Sequence, residues 1–285
     1  MVLVLLKISL FVFIAGNLLD MGVRLNPSDA LKGLRDYKFV LHTLFWGFVA
    51  GPGLAVAITR IIPLEAPYAM GLILLGMAPS APIVPIFVNK VRGDLGYAAA
   101  FMLLASVGSL IFMPFAVPWL VKGLTVSAWS IARPLLLLIL IPLAVGMTIA
   151  KAYVKMADKM KLVLKKITGL FTIFTIILLV LVYGKGMLGL PGSFALASQF
   201  ILFFFLCTFP YWFGFGLKHE QKIVESIGMS TRNLGAAMAP LFSDSRIDQK
   251  AFLMVVLALP VMVLFAWLSM KIFGRRKPQE MANYF

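Results

Sequence analysis

Apolar residues along this chain fall in long runs separated by short polar gaps. Nine runs reach bilayer length: residues 2–24, 39–62, 67–89, 95–120, 132–152, 165–188, 193–217, 222–243 and 250–273. A helix needs about 20 apolar residues to cross the hydrocarbon region, so each run is predicted as a transmembrane helix. The pattern predicts an all-α polytopic membrane protein, one membrane domain over 1–285 with nine transmembrane helices. The opening stretch MVLVLLKISLFVFIAG is expected to be a first span rather than a cleaved leader. No basic segment precedes its apolar run, and no clean small-x-small site follows it.

Composition points to the same solvent. The chain is 61% hydrophobic and 13% charged, whereas a soluble domain is about half apolar and about a quarter charged. A net charge of +15 would suit a nucleic-acid partner, but the basic residues sit in the gaps between apolar runs. There they act as topology signals and contacts to anionic headgroups. Counted by side, 18 Lys and Arg fall in one set of gaps (around 24–38, 90–92, 151–166, 218–222 and 271–277) and 6 in the other. The first set is predicted to face the cytoplasm of an inner-membrane protein, with the N-terminus outside and the C-terminus inside. The longest predicted loop, 153–164, is basic. Cys207 is the single cysteine and the histidines are only His42 and His219. No intrachain disulfide, metal centre or cofactor is therefore expected. The five tryptophans, Trp46 among them, are expected mostly in interfacial belts.

Two of the nine runs carry residues that a membrane helix tolerates poorly. The third contains Pro79, Pro82 and Pro85. Each proline removes a backbone donor and clashes with the preceding turn, so this helix is predicted to open near mid-bilayer. Backbone freed there must lie inside protein or line a wet cavity. The eighth holds Ser230, Thr231, Arg232 and Asn233 between Gly228 and Gly235. Arg232 lies too far from either end of the run to reach a headgroup comfortably, and a mid-span charge marks a functional site by default. Asn233, Thr231 and Ser80 are candidate substrate contacts. The hydroxyls of Ser230 and Thr231 have a second expected fate, bonding back to their own helix.

The interrupted runs stand third and eighth, so runs one to four and six to nine form two matching sets of opposite orientation. That is the layout of inverted-repeat transporters, whose broken helices cross at a central site. The N-termini of half-helices would favour an anion there. Two carboxylates, Asp20 and Glu225, lie near span ends. Each has a basic neighbour at helical spacing (Arg24 at i+4, Lys222 at i−3), which predicts local ion pairs. The competing role is proton coupling by a buried carboxylate.

Three stretches together resemble the bile acid:sodium symporter family. They are MGVRLNPSDALKGLRDYKFVLHTLFWGFVAGPGLA (21–55), GLILLGMAPSAPIVPIFVNKVRGDLGYAAAFMLLASVGSLIFMPFAVP (71–118) and GMSTRNLGAAMAP (228–240). The resemblance covers almost the whole chain and suits a nine-span member. It implies a panel of spans one, five and six (roughly 1–25 and 131–188) and a core of the other spans (roughly 38–122 and 191–274). A small organic anion, such as a bile salt or a carboxylate metabolite, would bind between panel and core and cross by alternating access. Sodium is the usual coupling ion of the family. In sodium-coupled members a Ser-Asn pair stands where this chain has Val84 and Pro85, a Glu where it has Gly228, and a Gln where it has Arg232. On the fourth span, Ser106 and Ser109 are kept, as candidate substrate contacts, while Ala105 and Gly108 replace hydroxyls. The expectation is that Arg232 supplies a fixed positive charge where relatives bind a cation, and pairs directly with the anion.

An intramembrane enzyme needs paired aspartates, HExxH or GxSxG, and none occurs, so no enzymatic activity is expected. A channel would not need two central helix breaks. A receptor needs a domain outside the bilayer, which the short gaps do not supply.

Overall fold

The computed structural model describes residues 2–25, 27–80, 83–121, 127–188, 192–243 and 246–274. Among these residues every regular element is helical. In chain order they are α1 (Val2–Arg24), α2 (Pro27–Arg35), α3 (Tyr37–Phe45), α4 (Gly51–Ile61), α5 (Ala66–Met77), α6 (Val84–Lys90) and α7 (Leu95–Leu120). They continue as α8 (Ala128–Leu135), α9 (Ile141–Ala152), α10 (Val154–Leu188), α11 (Ala195–Trp212), α12 (His219–Met229), α13 (Leu234–Met238) and α14 (Gln249–Phe273). Wide π-turns join α3 to α4 over Trp46–Ala50 and α8 to α9 over Leu136–Leu140. Each π-turn is followed within two residues by a proline, Pro52 or Pro142. A proline has no N–H to give the preceding turn, and a widened turn absorbs that loss.

Among the described residues, seven continuous helices are long and apolar enough to cross a bilayer: α1, α3–α4, α7, α8–α9, α10, α11 and α14. The other two predicted spans are not continuous. Run 67–89 is divided into α5 and α6, and run 222–243 into α12 and α13. The structure also departs from the expected loops. The basic stretch 153–164 is the beginning of α10, a single helix of 35 residues. The gap after α1 contains the amphipathic helix α2, which packs on α7.

Large apolar side chains cover the outside: Phe115, Leu181, Ile111 and Ile173 are each at least 60% exposed. In water such a surface would drive association, whereas in lipid it is the solvent-facing surface. Packing divides the helices into two groups. α1 lies along α9 and α10, while α5 and α14, α4 and α5, and α11 with α12 and α14 pack together. Glycines set the closest approaches. A Cβ on Gly146 would stand 2.5 Å from the Leu19 carbonyl oxygen and 2.9 Å from Gly22 Cα, so α1 and α9 touch backbone to backbone. Gly51 and Gly76 do the same for α4 and α5, with each Cβ meeting the other's carbonyl oxygen at 2.8–2.9 Å.

Asp36 holds the corner where α2 turns into α3. Its Oδ1 accepts from the Phe39 N–H as the N-cap of α3, and its Oδ2 accepts from Tyr97 Oη of α7 (3.0 Å) and Gln221 Nε2 of α12 (2.6 Å). Burial works to raise the pKa of this carboxyl, but the hydrogen bonds from Tyr97, Gln221 and the backbone outweigh it and hold it below the ordinary carboxylate value. Because the folded value is depressed, the associated stability is complete at neutral pH. It declines as pH falls below the ordinary carboxylate range and is gone below the depressed value.

Two outcomes follow. Thermal melts of purified protein between neutral and acidic pH will show an acid-side loss of stability that is shallower in Asp36→Asn than in the wild type. Gly146→Leu will force α1 from α9 and lower the melting temperature, at a cost of roughly 1–3 kcal/mol from overpacking. A distant control such as Gly53→Ala, whose Cβ meets open space, will not.

Candidate functional site

Two non-helical strips meet in the middle of the molecule. α5 ends at Met77 and leaves Ala78, Pro79 and Ser80 outside any helix, while α12 ends at Met229 and the chain resumes helix at Leu234. The strips run antiparallel, with Pro79 opposite Arg232. Ser80 N–H donates to the Thr231 carbonyl at 3.1 Å, and Asn233 N–H donates to the Ala78 carbonyl at 3.0 Å. Proline at position 79 suits this pairing because the bonds on either side do not need its missing donor. Ser80 takes a left-handed φ of 73°, a conformation uncommon outside glycine. The pairing replaces hydrogen bonds that two interrupted helices would otherwise leave unmade in an apolar surround.

The side chains divide into those that complete this backbone and those that do not. Asn233 caps α13, its Oδ1 accepting from Ala236 N–H at 3.1 Å. The Ser230 and Thr231 hydroxyls donate back to the Ile227 and Gly228 carbonyls, both at 2.9 Å, the second of their expected fates. Gly228 lets Phe101 of α7 close in, since a Cβ there would lie 2.4 Å from the ring. Gly235 does the same for Ile14 of α1, at 2.7 Å from Cγ2. Pro85 sits in the first turn of α6, and Pro82 lies outside the described residues. Ser80, Ser106 and Ser109 are buried, and Ser109 Oγ meets no partner among the described residues.

Arg232 differs from all of these. It is 1% exposed, so its guanidinium is enclosed by protein and reaches no surface. Nη2 donates to the Met229 carbonyl at 2.9 Å, but Nε and Nη1 meet no hydrogen-bond partner among the described residues. No carboxylate lies within 4 Å of it among those residues. A buried guanidinium with two donors unmet is costly by several kcal/mol. The half-helix contribution expected from the sequence is small here, because α13 has only five residues and Asn233 already occupies its cap. The positive character of the crossing therefore rests on the guanidinium.

The crossing is bordered by α3 and by the first helix group. Gly47, in the π-turn after α3, faces Pro79 and Met229, so that a Cβ there would lie 3.3 and 3.6 Å from them. α13 touches Ile14 and the 136–140 turn, both on the α1–α9 side. A cavity of about 310 Å³ lies beside α13, lined by Trp129, Ser130, Arg133, Pro134, Ala239, Phe242 and Ser243.

The two carboxylates singled out by spacing part company. Asp20 forms the expected pair with Arg24, whose Nε is 2.9 Å from both carboxylate oxygens, and Arg24 Nη2 also bonds the Lys161 carbonyl. Glu225 does not join Lys222. It is completely buried and accepts from the Thr43 hydroxyl, with His42 Nδ1 3.5 Å from its other oxygen. Sequence reasoning missed His42 and Thr43, and the available signal was two adjacent polar residues early in an apolar run. Trp46 is likewise no belt residue. It is 7% exposed, and its indole N–H donates to His42 Nε2 at 3.1 Å.

Residues 10–189 match the family model described as the Sodium Bile acid symporter family. No curated protein gives a significant match.

Asn233→Ala will remove the α13 cap and cost roughly 1 kcal/mol, read as a lowered melting temperature. Asn233→Asp will keep the acceptor and recover most of that loss.

Proposed function

Because the chain belongs to the Sodium Bile acid symporter family, a family of membrane transporters, we propose that it is a secondary carrier of a small organic anion that works by alternating access with Arg232 as the charge that meets the substrate. The observation that carries this reading is the enclosed guanidinium at the crossing of residues 78–80 and 231–233, two of whose nitrogens meet no partner among the described residues. An anion delivered to that point would meet an unmet donor at either edge of the planar guanidinium, Nε on one and Nη1 on the other, each beside an N–H of Nη2. Such edges suit carboxylate, sulfate or sulfonate groups.

On this reading the third and eighth predicted spans cross the membrane as broken helices, and spans one to four and six to nine are inverted repeats. The antiparallel pairing of their interruptions supports it. α1, α8–α9 and α10 act as the panel, the remaining membrane helices as the core, and the anion passes along the boundary between them. The meeting of Gly235 with Ile14, and the 310 Å³ cavity bearing Arg133 between α8 and residues 239–243, support that placement. Enclosure of Arg232 corresponds to an occluded form, which must open to either side in turn. Sodium is not the obligatory partner ion. The positions that match the family's sodium ligands hold Val84, Pro85, Gly228 and Arg232, which offer no carboxylate and place a cation where a cation would bind.

The test is a thermal-shift screen of purified protein against bile salts, keto acids, pantothenate-like acids and sulfated compounds, in sodium and in choline buffers. At least one acid will raise the melting temperature in both buffers. Its affinity will fall about 30-fold or more in Arg232→Ala, the consequence of losing roughly 2 kcal/mol or more from a buried charge pair. Uptake of that acid into proteoliposomes will saturate and will be accelerated by the same acid inside, as a carrier requires and a channel does not. Protection that survives Arg232→Ala removes the arginine from binding, and a strict sodium requirement overturns the ion assignment.

A further inference from the structure

Seven residues before Arg232 lies a second buried ionisable group that anion binding does not use. Glu225 is completely enclosed, and its Oε1 accepts from the Thr43 hydroxyl of α3. Oε2 faces His42 Nδ1 at 3.5 Å, and neither of these two atoms has another partner among the described residues. Trp46 fixes the imidazole. Its indole N–H is a donor only, and it occupies His42 Nε2 at 3.1 Å. Nε2 is therefore the unprotonated nitrogen, and the imidazole proton sits on Nδ1, directed at the carboxylate.

This arrangement has two states one proton apart. With Glu225 ionised, Oε2 is an acceptor for His42 Nδ1–H, and the two groups belong at hydrogen-bond distance, below about 3.2 Å. With Oε2 protonated, O–H and Nδ1–H are two donors facing one another, and the charge-assisted bond is lost.

Other titratable groups on elements packed against α12 are engaged elsewhere. Tyr97 of α7 is on Asp36, Cys207 of α11 on the Phe265 carbonyl, Tyr211 of α11 on His219, Lys90 of α6 over Phe87, Lys271 of α14 over Trp267, and Lys250 of α14 on Glu65. His42 is the chargeable nitrogen within 4 Å of Glu225 among the described residues.

We propose that Glu225, with His42 as its partner, is a binding site for a single proton, carried on Glu225 Oε2. Release draws His42 onto the carboxylate and so pulls α3 toward α12. The π-turn after α3 presses Gly47 against Pro79 and Met229, so the movement is felt at the crossing that holds Arg232. Resting on the carrier reading, this proton is the coupling ion.

The experiment is an infrared pH titration of purified protein over roughly pH 5–9, paired with emission from a variant that keeps Trp46 and has its other tryptophans replaced by phenylalanine. The C=O stretch of a buried, slowly exchanging carboxylic acid will appear as pH falls, and Trp46 emission will change with the same midpoint. Glu225→Gln, which keeps the bulk and polarity, will remove both signals. His42→Gln will keep the band and move its midpoint by about one unit or more, and Lys222→Gln will change neither. A band that survives Glu225→Gln, a carboxylate that stays ionised or stays protonated throughout, or Trp46 emission that is flat while the band titrates overturns the site. These measurements need neither substrate nor sodium, so they stand if the carrier reading fails. For coupling, the acid that protects in the thermal-shift screen will do so with a pH profile sharing the infrared midpoint, flattened in Glu225→Gln. Protection independent of pH in the wild type overturns the coupling role while leaving the proton site intact.

Discussion

Backbone removed from a helix inside an apolar body has nowhere to turn but to other backbone, and the centre of this molecule is arranged around that constraint. Two interruptions that would each be costly alone lie side by side, and each supplies what the other lacks. The amide of Ser80 finds the Thr231 carbonyl, and the amide of Asn233 finds the Ala78 carbonyl. Prolines are admissible at 79 and 85 because one stands between the paired amides and the other opens a new helix. The same pairing fixes the Arg232 backbone at the middle of the molecule. A guanidinium anchored there cannot lean to a membrane surface, and its unmet donors must be answered locally.

Much of this was legible in the chain, and the boundary of legibility has a physical form. The runs predicted at 2–24 and 95–120 coincide with α1 and α7, and that at 250–273 differs from α14 by one residue. Acidic caps mark two of these starts. Asp94 accepts from Gly96 and Tyr97, and Asp248 accepts from Lys250. Interruption of the proline-rich and Ser-Thr-Arg-Asn runs follows from local chemistry, as does the Asp20–Arg24 pair. What the chain hid is long-range or geometric. The partners of Glu225 lie more than 180 residues away. The π-turns need a view of hydrogen-bond register that hydropathy does not carry. α10 extends beyond its apolar run because a basic first segment is still good helix-forming sequence.

The two buried ionisable groups are kept apart. Arg232 and Glu225 have opposite formal charges and sit on the same interrupted segment, yet no ion pair joins them among the described residues. Had they paired, each would have satisfied the other and the crossing would have been electrostatically inert. On the proposed reading one is kept for an anion and the other for a proton, and the helix break between Met229 and Leu234 lies between them.

The glycine seat between α1 and α9 bears on how such a molecule moves. Where side chains interdigitate, helices can slip by exchanging rotamers. Where Gly22 and Gly146 bring main chain against main chain, no side chain is present to give way. The two helices, with α10 along their flank, are therefore held at main-chain contact. On the carrier reading, rocking of one group against the other would pass Ile14 over Gly235, a contact with no side chain on one face and an aliphatic one on the other.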